Sequence, residues 1–424
     1  MMKSPYPIEQ TLGMQYYAGD TQGTGGFLRR SAEDFIVNEV ENEAENKEGG
    51  KYLICRLTKK NWELQRAVRE ISRHLGISHR RIAWAGTKDK HAITTQLISI
   101  YDIEPEDLER VHLKDISLEA VRKSQAALSL GELQGNRFEI TIRDCMPEDL
   151  DARVDAACMT AAEGIPNFYG IQRFGVIRPV THLVGEAMLQ GDLEEAVAIY
   201  VGLASKDEPE ETYNARQHFS ESRDALEALN QIPVHLHYER SMLHHLVEKP
   251  GDYEGALLNI PPKLISMFVG AFQSWLFNKT LSMRMEEGYG LTEPINGDRL
   301  IFTNGREDIV TPQNISTAAV HMKRGRCSVA IMMPGSEPLK THGPMDEYIL
   351  GLMGEHQITP EDFARVSELI RTRFRGARRP IALKTDIERV ITGTDVKLSF
   401  TLPPGHYATT VCREIMKADP LAMI

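Results

Sequence analysis

Gly86 to Gln96 reads GTKDKHAITTQ and sets one carboxylate, Asp89, between Lys88 and Lys90, with His91 next. A glycine followed by a lysine suggests phosphate binding. A phosphate-cradling loop, however, needs GxxxxGK[ST], so that successive backbone N–H groups wrap the anion. Only one glycine precedes Lys88 here, and no Ser or Thr follows it. The phosphate reading fails on spacing. A carboxylate is ionised at neutral pH, and flanking cations favour the charged form further. It is then a poor general acid. It suits a nucleophile or an electrostatic partner for a sugar carbon that develops positive charge, as carboxylates act on glycosidic bonds. A charged turn with a structural aspartate is the plain alternative, and this stretch alone does not decide between them.

Other candidate chemistries are weaker. His235 and His237 of HLH would share one face of a strand, with His244 and His245 nearby, but no carboxylate or cysteine completes a ligand set. Cys55, Cys145, Cys158, Cys327 and Cys412 are scattered, with no CxxC pair. Their odd number and irregular spacing point to reduced thiols rather than disulfides or zinc. None has the setting of an activated nucleophile, which favours buried packing.

The elements that must hold Asp89 are legible. In Ser31 to Val40, Phe35 and Val37 alternate with polar positions, the pattern of a strand. Glu41 to Gly50 reads as an acidic hairpin or loop, and Tyr52 to Lys60 as a second strand. Asn61 can cap a helix carrying Leu64, Val68, Ile71 and Leu75 at helical spacing and ended by Gly76. Arg81 to Gly86 and Ala92 to Ile100 are two further short strands, so Asp89 lies in the loop between them. Further on come a strand at Arg137 to Asp144, an alanine-rich helix at Leu150 to Glu163 and the segment GIPNFYGIQRFG. A turn and strand at Pro294 to Phe302 and a helix at Pro360 to Ile370 follow. A strand, a Pro-Pro-Gly turn and a helix close the chain from Val396 to Lys417.

The 424 residues are too many for one ordinary domain, and 42% hydrophobic with 26% charged content is that of a folded globular protein. The first residues carry no apolar signal segment, and no apolar run approaches the roughly 20 residues of a spanning helix. A cytoplasmic location with no membrane association is expected. The net charge of −11 argues against a nucleic-acid partner until the charges are placed. Acid sits in blocks at Glu39 to Glu48 and Lys206 to Glu211. Base is concentrated at Arg73 to Arg81, Thr87 to His91, Lys323 to Arg326 and Arg371 to Pro380. Basic islands of this kind fit an RNA-binding face.

Six motifs in order make the chain resemble the tRNA pseudouridine synthase D (TruD) family: SAEDFIVNE, AGTKDKHAITTQ, GNRFEI, GIPNFYGIQRFG, the Gly297–Asp298 pair and LPPGHYATTVCRE. The resemblance runs nearly end to end. It implies isomerisation of uridine to pseudouridine in RNA, typically at position 13 of tRNA, with no cofactor and no metal. Its nucleophilic aspartate falls on Asp89. The implied fold is α/β (α+β), a catalytic core with a mixed, largely antiparallel sheet and flanking helices, interrupted by a large α/β insertion. On that division residues 1–165 begin the core, 166–382 form the insertion and 383–424 return to the core. A monomer is expected.

The resemblance also suggests site residues. Phe138 matches the family's aromatic position, and Asn136 can read or orient with its amide. Phe35 is a second candidate aromatic, with packing in a strand as the alternative. Lys88 is expected beside the substrate. Arg413 is the expected cation for Asp89, with Lys417 one turn on as its rival. Arg29, Arg30, Arg80, Arg81, Lys90, Gln172, Arg173, Arg378 and Arg379 are the expected RNA contacts. Arg29 and Arg30 stand where related sequences carry lysine, which alters hydrogen-bond geometry at equal charge. The base must leave its stack to react, which calls for flipping onto an aromatic support. An RNA-binding or chaperone protein on the same scaffold is the alternative function. A glycosidase would need a second carboxylate nearby.

Overall fold

The computed structural model describes residues 1–42 and 48–423, so the middle of the expected acidic loop lies outside the described residues. Two compact units emerge, each assembled from separated segments. One joins Gly19–Glu163 to Lys384–Ile424, and the other joins Met1–Ala18 to Gly164–Leu383. The N-terminal eighteen residues therefore depart from the expected division at 1–165: Leu12 and Met14 sit in the second unit's core.

The first unit is built on an eight-stranded sheet. Its order is Glu388–Thr392, Asp395–Leu402, Gly135–Ile142, Phe35–Val40, Ile93–Tyr101, Glu48–Lys60 and Ile116–Ser124, with Ile82–Trp84 also on the Ile93–Tyr101 strand. All pairings are antiparallel except Phe35–Val40 with Ile93–Tyr101, which run parallel with Ile36 opposite Ile93. A parallel pair needs a long crossover, supplied here by a strand, a helix and a further strand. The crossover helix, Leu64–Leu75, buries Leu64, Val68, Ile71 and Leu75 against Leu53, Cys55, Leu57, Ile98 and Ile100. Burying each such side chain is worth about 1.5–3 kcal/mol. Gly76 ends the helix in a left-handed conformation, as expected. The cap is Glu63 rather than Asn61. Its carboxylate accepts from the N–H groups of Gln65 and Arg66, whereas Asn61 takes a positive φ in the preceding turn.

Two local expectations change. The strand expected from Ser31 begins at Phe35. Ala32–Asp34 form a 3-10 turn, because Ser31 and Asp34 exchange capping hydrogen bonds. Asp34 also holds Arg143 through Oδ1, and Arg143 reaches Asp395, so this turn is tied to the far end of the sheet. His237 opens the helix His237–Glu248 instead of lying in a strand, so the two imidazoles of HLH do not share a strand face.

The second unit is mostly helical around Pro262–Glu286, a helix of 25 residues with Phe268, Phe272, Leu276, Phe277 and Leu281 fully or almost fully buried. The helix Thr181–Gln190 approaches it so closely that a Cβ at Gly185 would stand 2.1 Å from the Phe268 carbonyl oxygen. An antiparallel sheet, Glu307–Ile309, Arg299–Phe302, Cys327–Met333 and Ala377–Pro380, completes it. Ile165–Pro166 pairs with Ala382–Leu383, joining the points where the chain enters and leaves this unit. No described helix is long and apolar enough to cross a membrane.

Candidate active site

Strand register brings the candidate site together. The parallel pairing of Phe35–Val40 with Ile93–Tyr101 sets the starts of both strands side by side, and Lys59 lies opposite Thr94 on the other flank. Arg29 precedes the first strand by six residues and Asp89 precedes the second by four. Both arrive at the same edge.

Asp89 is half-exposed, with 47% of its side chain open to solvent, and its Oδ1 accepts a hydrogen bond from Arg29 Nη2 at 3.2 Å. Arg29 lies over the Phe35 ring, with its guanidinium carbon 4.1 Å from the ring centroid. Cation–π contact of this kind contributes roughly 0.5–2 kcal/mol and restrains the fork. The Arg29 backbone is left-handed at φ 56°, a conformation that costs a residue with a Cβ about 1–2 kcal/mol. A strained residue, a stacked cation and an open carboxylate coincide.

Arg413 is buried in the helix Ala408–Met416, and Asp89 forms an ion pair with Arg29. Lys417 donates to the carbonyls of Gly19 and Thr21 at 3.1 and 2.7 Å.

Lys88 and Lys90 part company. Lys88 forms an ion pair with Glu39 in which the side chains are only 4% and 3% exposed. Glu39 Oε1 also accepts from the Leu97 N–H, and Gln96 Nε2 donates to the Gly86 carbonyl at 2.9 Å. Lys88 therefore anchors the loop to the sheet. A Cβ at Gly86 would stand 3.1 Å from Lys88 Nζ, a tight approach. Lys90 and His91 are exposed.

The aromatic candidates form a buried floor. Phe138 stacks on Phe400 with centroids 5.6 Å apart and meets Phe35 edge-on at 6.3 Å. Phe35 is thus both core and support, since Arg29 covers its ring face. Asn136 lies opposite Glu39 in register, and its Oδ1 is buried with no hydrogen-bond partner among the described residues.

The expected RNA contacts divide. Arg80 is exposed. Arg81 spends its guanidinium on the carbonyls of Tyr101 and Asp102. Arg30 is exposed, stacks on Phe27 and pairs with Asp144 at 3.7 Å. Within the second unit, Gln172 is exposed, and Arg173 donates to Ser274 Oγ at 3.1 Å. Arg378 pairs with Glu307 at 2.8 Å, and buried Arg379 bonds Asn167 and stacks on Tyr169. The Gly297–Asp298 motif is structural: Asp298 forms a fully buried pair with Arg284.

One group is not legible as a site residue in the sequence. Lys59, fully buried, donates to the Asp89 carbonyl oxygen at 2.8 Å. Its one signal is alternation, since it continues the apolar row Leu53, Cys55 and Leu57. Arg371, Arg373 and Arg375 take part in no ion pair among the described residues and line a hollow of about 460 Å³ with Ser336, Ser367, Glu337 and Glu368. Phe374, between two of them, is buried, while Arg371, Arg373 and Arg375 are exposed.

The arrangement offers one open, cation-paired carboxylate above an aromatic floor. Thiol chemistry is disfavoured, since burial pushes the Cys55 and Cys412 thiols up to about 12.

Comparison with known proteins agrees with the motifs. The family model described as tRNA pseudouridine synthase D (TruD) matches residues 11–415. A relative from Methanococcoides burtonii, named "Probable tRNA pseudouridine synthase D", is 40% identical over 98% of both chains. One of the same name from Halobacterium salinarum is 37% identical over the full length of both. A crystal structure named "Putative tRNA pseudouridine synthase D (TruD) from Methanosarcina mazei" superposes with a TM-score of 0.84, at 39% identity and full coverage of both chains. By sequence along nearly its whole length, and by fold, the chain belongs to the tRNA pseudouridine synthase D family.

Proposed function

We propose that this protein isomerises uridine to pseudouridine in tRNA, with position 13 as the target and Asp89 as the reacting carboxylate. The observation that carries the reading is the half-exposed Asp89, held by Arg29 in the motif where the family resemblance puts its nucleophile. The reaction breaks the N1–C1′ bond of the target nucleotide, turns the uracil and forms a C5–C1′ bond. The C5 hydrogen leaves as a proton and N1 gains one, so no redox partner or donated group is needed.

A base inside a helix is out of reach of Asp89, so the nucleotide must be extruded. Phe138, braced by Phe35 and Phe400, forms the floor on which it rests. Asn136 Oδ1 is a buried acceptor suited to the uracil N3–H. Arg29 holds the carboxylate aimed and ionised. Arg371, Arg373 and Arg375, in no ion pair among the described residues, meet RNA phosphates, and Arg30, Arg80 and Lys90 are further exposed candidates. The alternative of an RNA-binding protein without chemistry is not favoured, because the relatives are named as synthases and Asp89 is present.

The test is release of tritium to water from tRNA labelled at uridine C5, followed by mapping of the modified position. Release with pseudouridine at position 13 is expected. No release from any tRNA would remove the proposal, and release with modification elsewhere would remove the position alone.

A further inference from the structure

We propose that Lys59 is a positioning residue for Asp89, its buried ammonium pinning the loop backbone and keeping a positive charge behind the carboxylate. The inference rests on the reading of Asp89 as the reacting group.

Lys59 occupies a position that the strand pattern reserves for an apolar side chain. Leu53, Cys55 and Leu57 precede it on the same face, all buried, and Lys59 is itself 0% exposed. Burying an ammonium is costly unless its surroundings compensate, so a core position normally selects against lysine. Among the described residues Lys59 forms no ion pair. Its hydrogen bond goes to the main-chain oxygen of Asp89 itself, at 2.8 Å. Lys60 makes the contrast plain, since its side chain turns outward to an exposed pair with Glu33.

The charges facing Lys59 are Asp89 and Lys88 on the loop and Glu63 at the helix cap. Burial pushes its ammonium down to about 8, while Asp89 and then Glu63 pull it back up. The Asp89 charge on the loop thus favours the cation against its burial, while Lys88 on the same loop opposes it. With Arg29 on the carboxylate and Lys59 on the carbonyl of the same residue, both ends of Asp89 are fixed by cations from different parts of the sheet. A carboxylate that must meet one sugar carbon gains from this, because small misplacements of a reacting group cost up to about a hundredfold in rate.

The experiment measures tritium release by wild type, Lys59→Met and Lys59→Arg with tRNA varied through saturation. Active wild type establishes the functional reading independently; inactive wild type overturns that reading and this inference with it. Lys59→Met is expected to lower kcat by about 10–100-fold with KM for tRNA changed less than about threefold. Wild-type kcat is expected to fall as pH rises through about 8, where the ammonium loses its proton. Lys59→Arg, charged throughout, should recover part of the loss and lack that alkaline limb. Folded Lys59→Met turning over within about twofold of wild type would overturn the proposal. So would an unchanged alkaline limb in Lys59→Arg, which also decides the matter should Lys59→Met not fold.

Discussion

Arg29 Nη2 stands 3.2 Å from Asp89 Oδ1 although 60 residues separate them along the chain. The pair exists because two strands run parallel, which sets their starts side by side, and because Phe35 offers its face to the guanidinium. Arginine suits the place: it is planar enough to stack and retains donors for the carboxylate. It places a fixed cation at the Asp89 carboxylate.

Asp89→Asn should abolish tritium release while leaving the fold intact. The carboxylate is half-exposed, and pairs of that kind contribute only about 0–1 kcal/mol. Urea denaturation alongside the activity assay separates the two effects, and a variant that still turns over would remove Asp89 as the reacting group.

Arg29→Ala should lower kcat by about 10–100-fold, and Arg29→Lys should restore part of it. Lysine keeps the charge but loses the stack on Phe35 and the fork. Steady-state kinetics on both variants check the order; Arg29→Lys equal to wild type would show that charge alone matters.

Glu39→Gln should destabilise the protein by about 3–5 kcal/mol, because it leaves the Lys88 ammonium buried and unpaired. The double variant Glu39→Leu with Lys88→Met should cost much less, since it removes both charges together. Urea midpoints give the comparison. Both should lose activity, as the loop carrying Asp89 loses its anchor.

Acid sensitivity should trace in part to His182. Burial pushes its imidazole down to about 4, with the Lys279 charge adding to the effect. The folded state thus keeps it neutral while the unfolded chain binds a proton below about 6.5. Stability is complete above that value and falls as pH drops from about 6.5 to about 4, by about 3 kcal/mol for this group. His182→Phe should flatten this part of the profile, measured as the difference in unfolding free energy from wild type at pH 7 and pH 5.

Replacing Arg371, Arg373 and Arg375 together by Gln should raise KM for tRNA and leave kcat unchanged. The slope of log affinity against log salt should shrink by about 2–3, one unit or slightly less for each phosphate that is no longer neutralised. Filter binding across a salt series measures it. An unchanged slope would mean that these arginines face solvent only.

The same arginines show where sequence reading stops. The cluster from Arg371 to Pro380 is legible as basic, and so as a candidate RNA contact. Nothing in its composition tells that Arg378 and Arg379 are consumed by Glu307, Asn167 and Tyr169 while their neighbours pair with no acid among the described residues. The partners lie some 70 to 210 residues away, and a charge pattern carries no information about them. The same holds for Arg81, which reads as a cation and serves as a staple.

Sequence by itself determined the motif order, the aspartate and its loop, and the strands and helix around it. Each of these is written in local periodicity and spacing, which the backbone obeys wherever the segment ends up. The crossover helix follows from four apolar residues and a glycine. Only the tertiary structure decided that Arg29 meets Asp89, that Lys88 faces inward to Glu39, and that a lysine lies beneath the loop. Those contacts follow from strand register, and a sheet draws its neighbours from anywhere in the chain. GTKDKHAITTQ named the candidate carboxylate; the parallel pairing of two distant strands brought Arg29 to it.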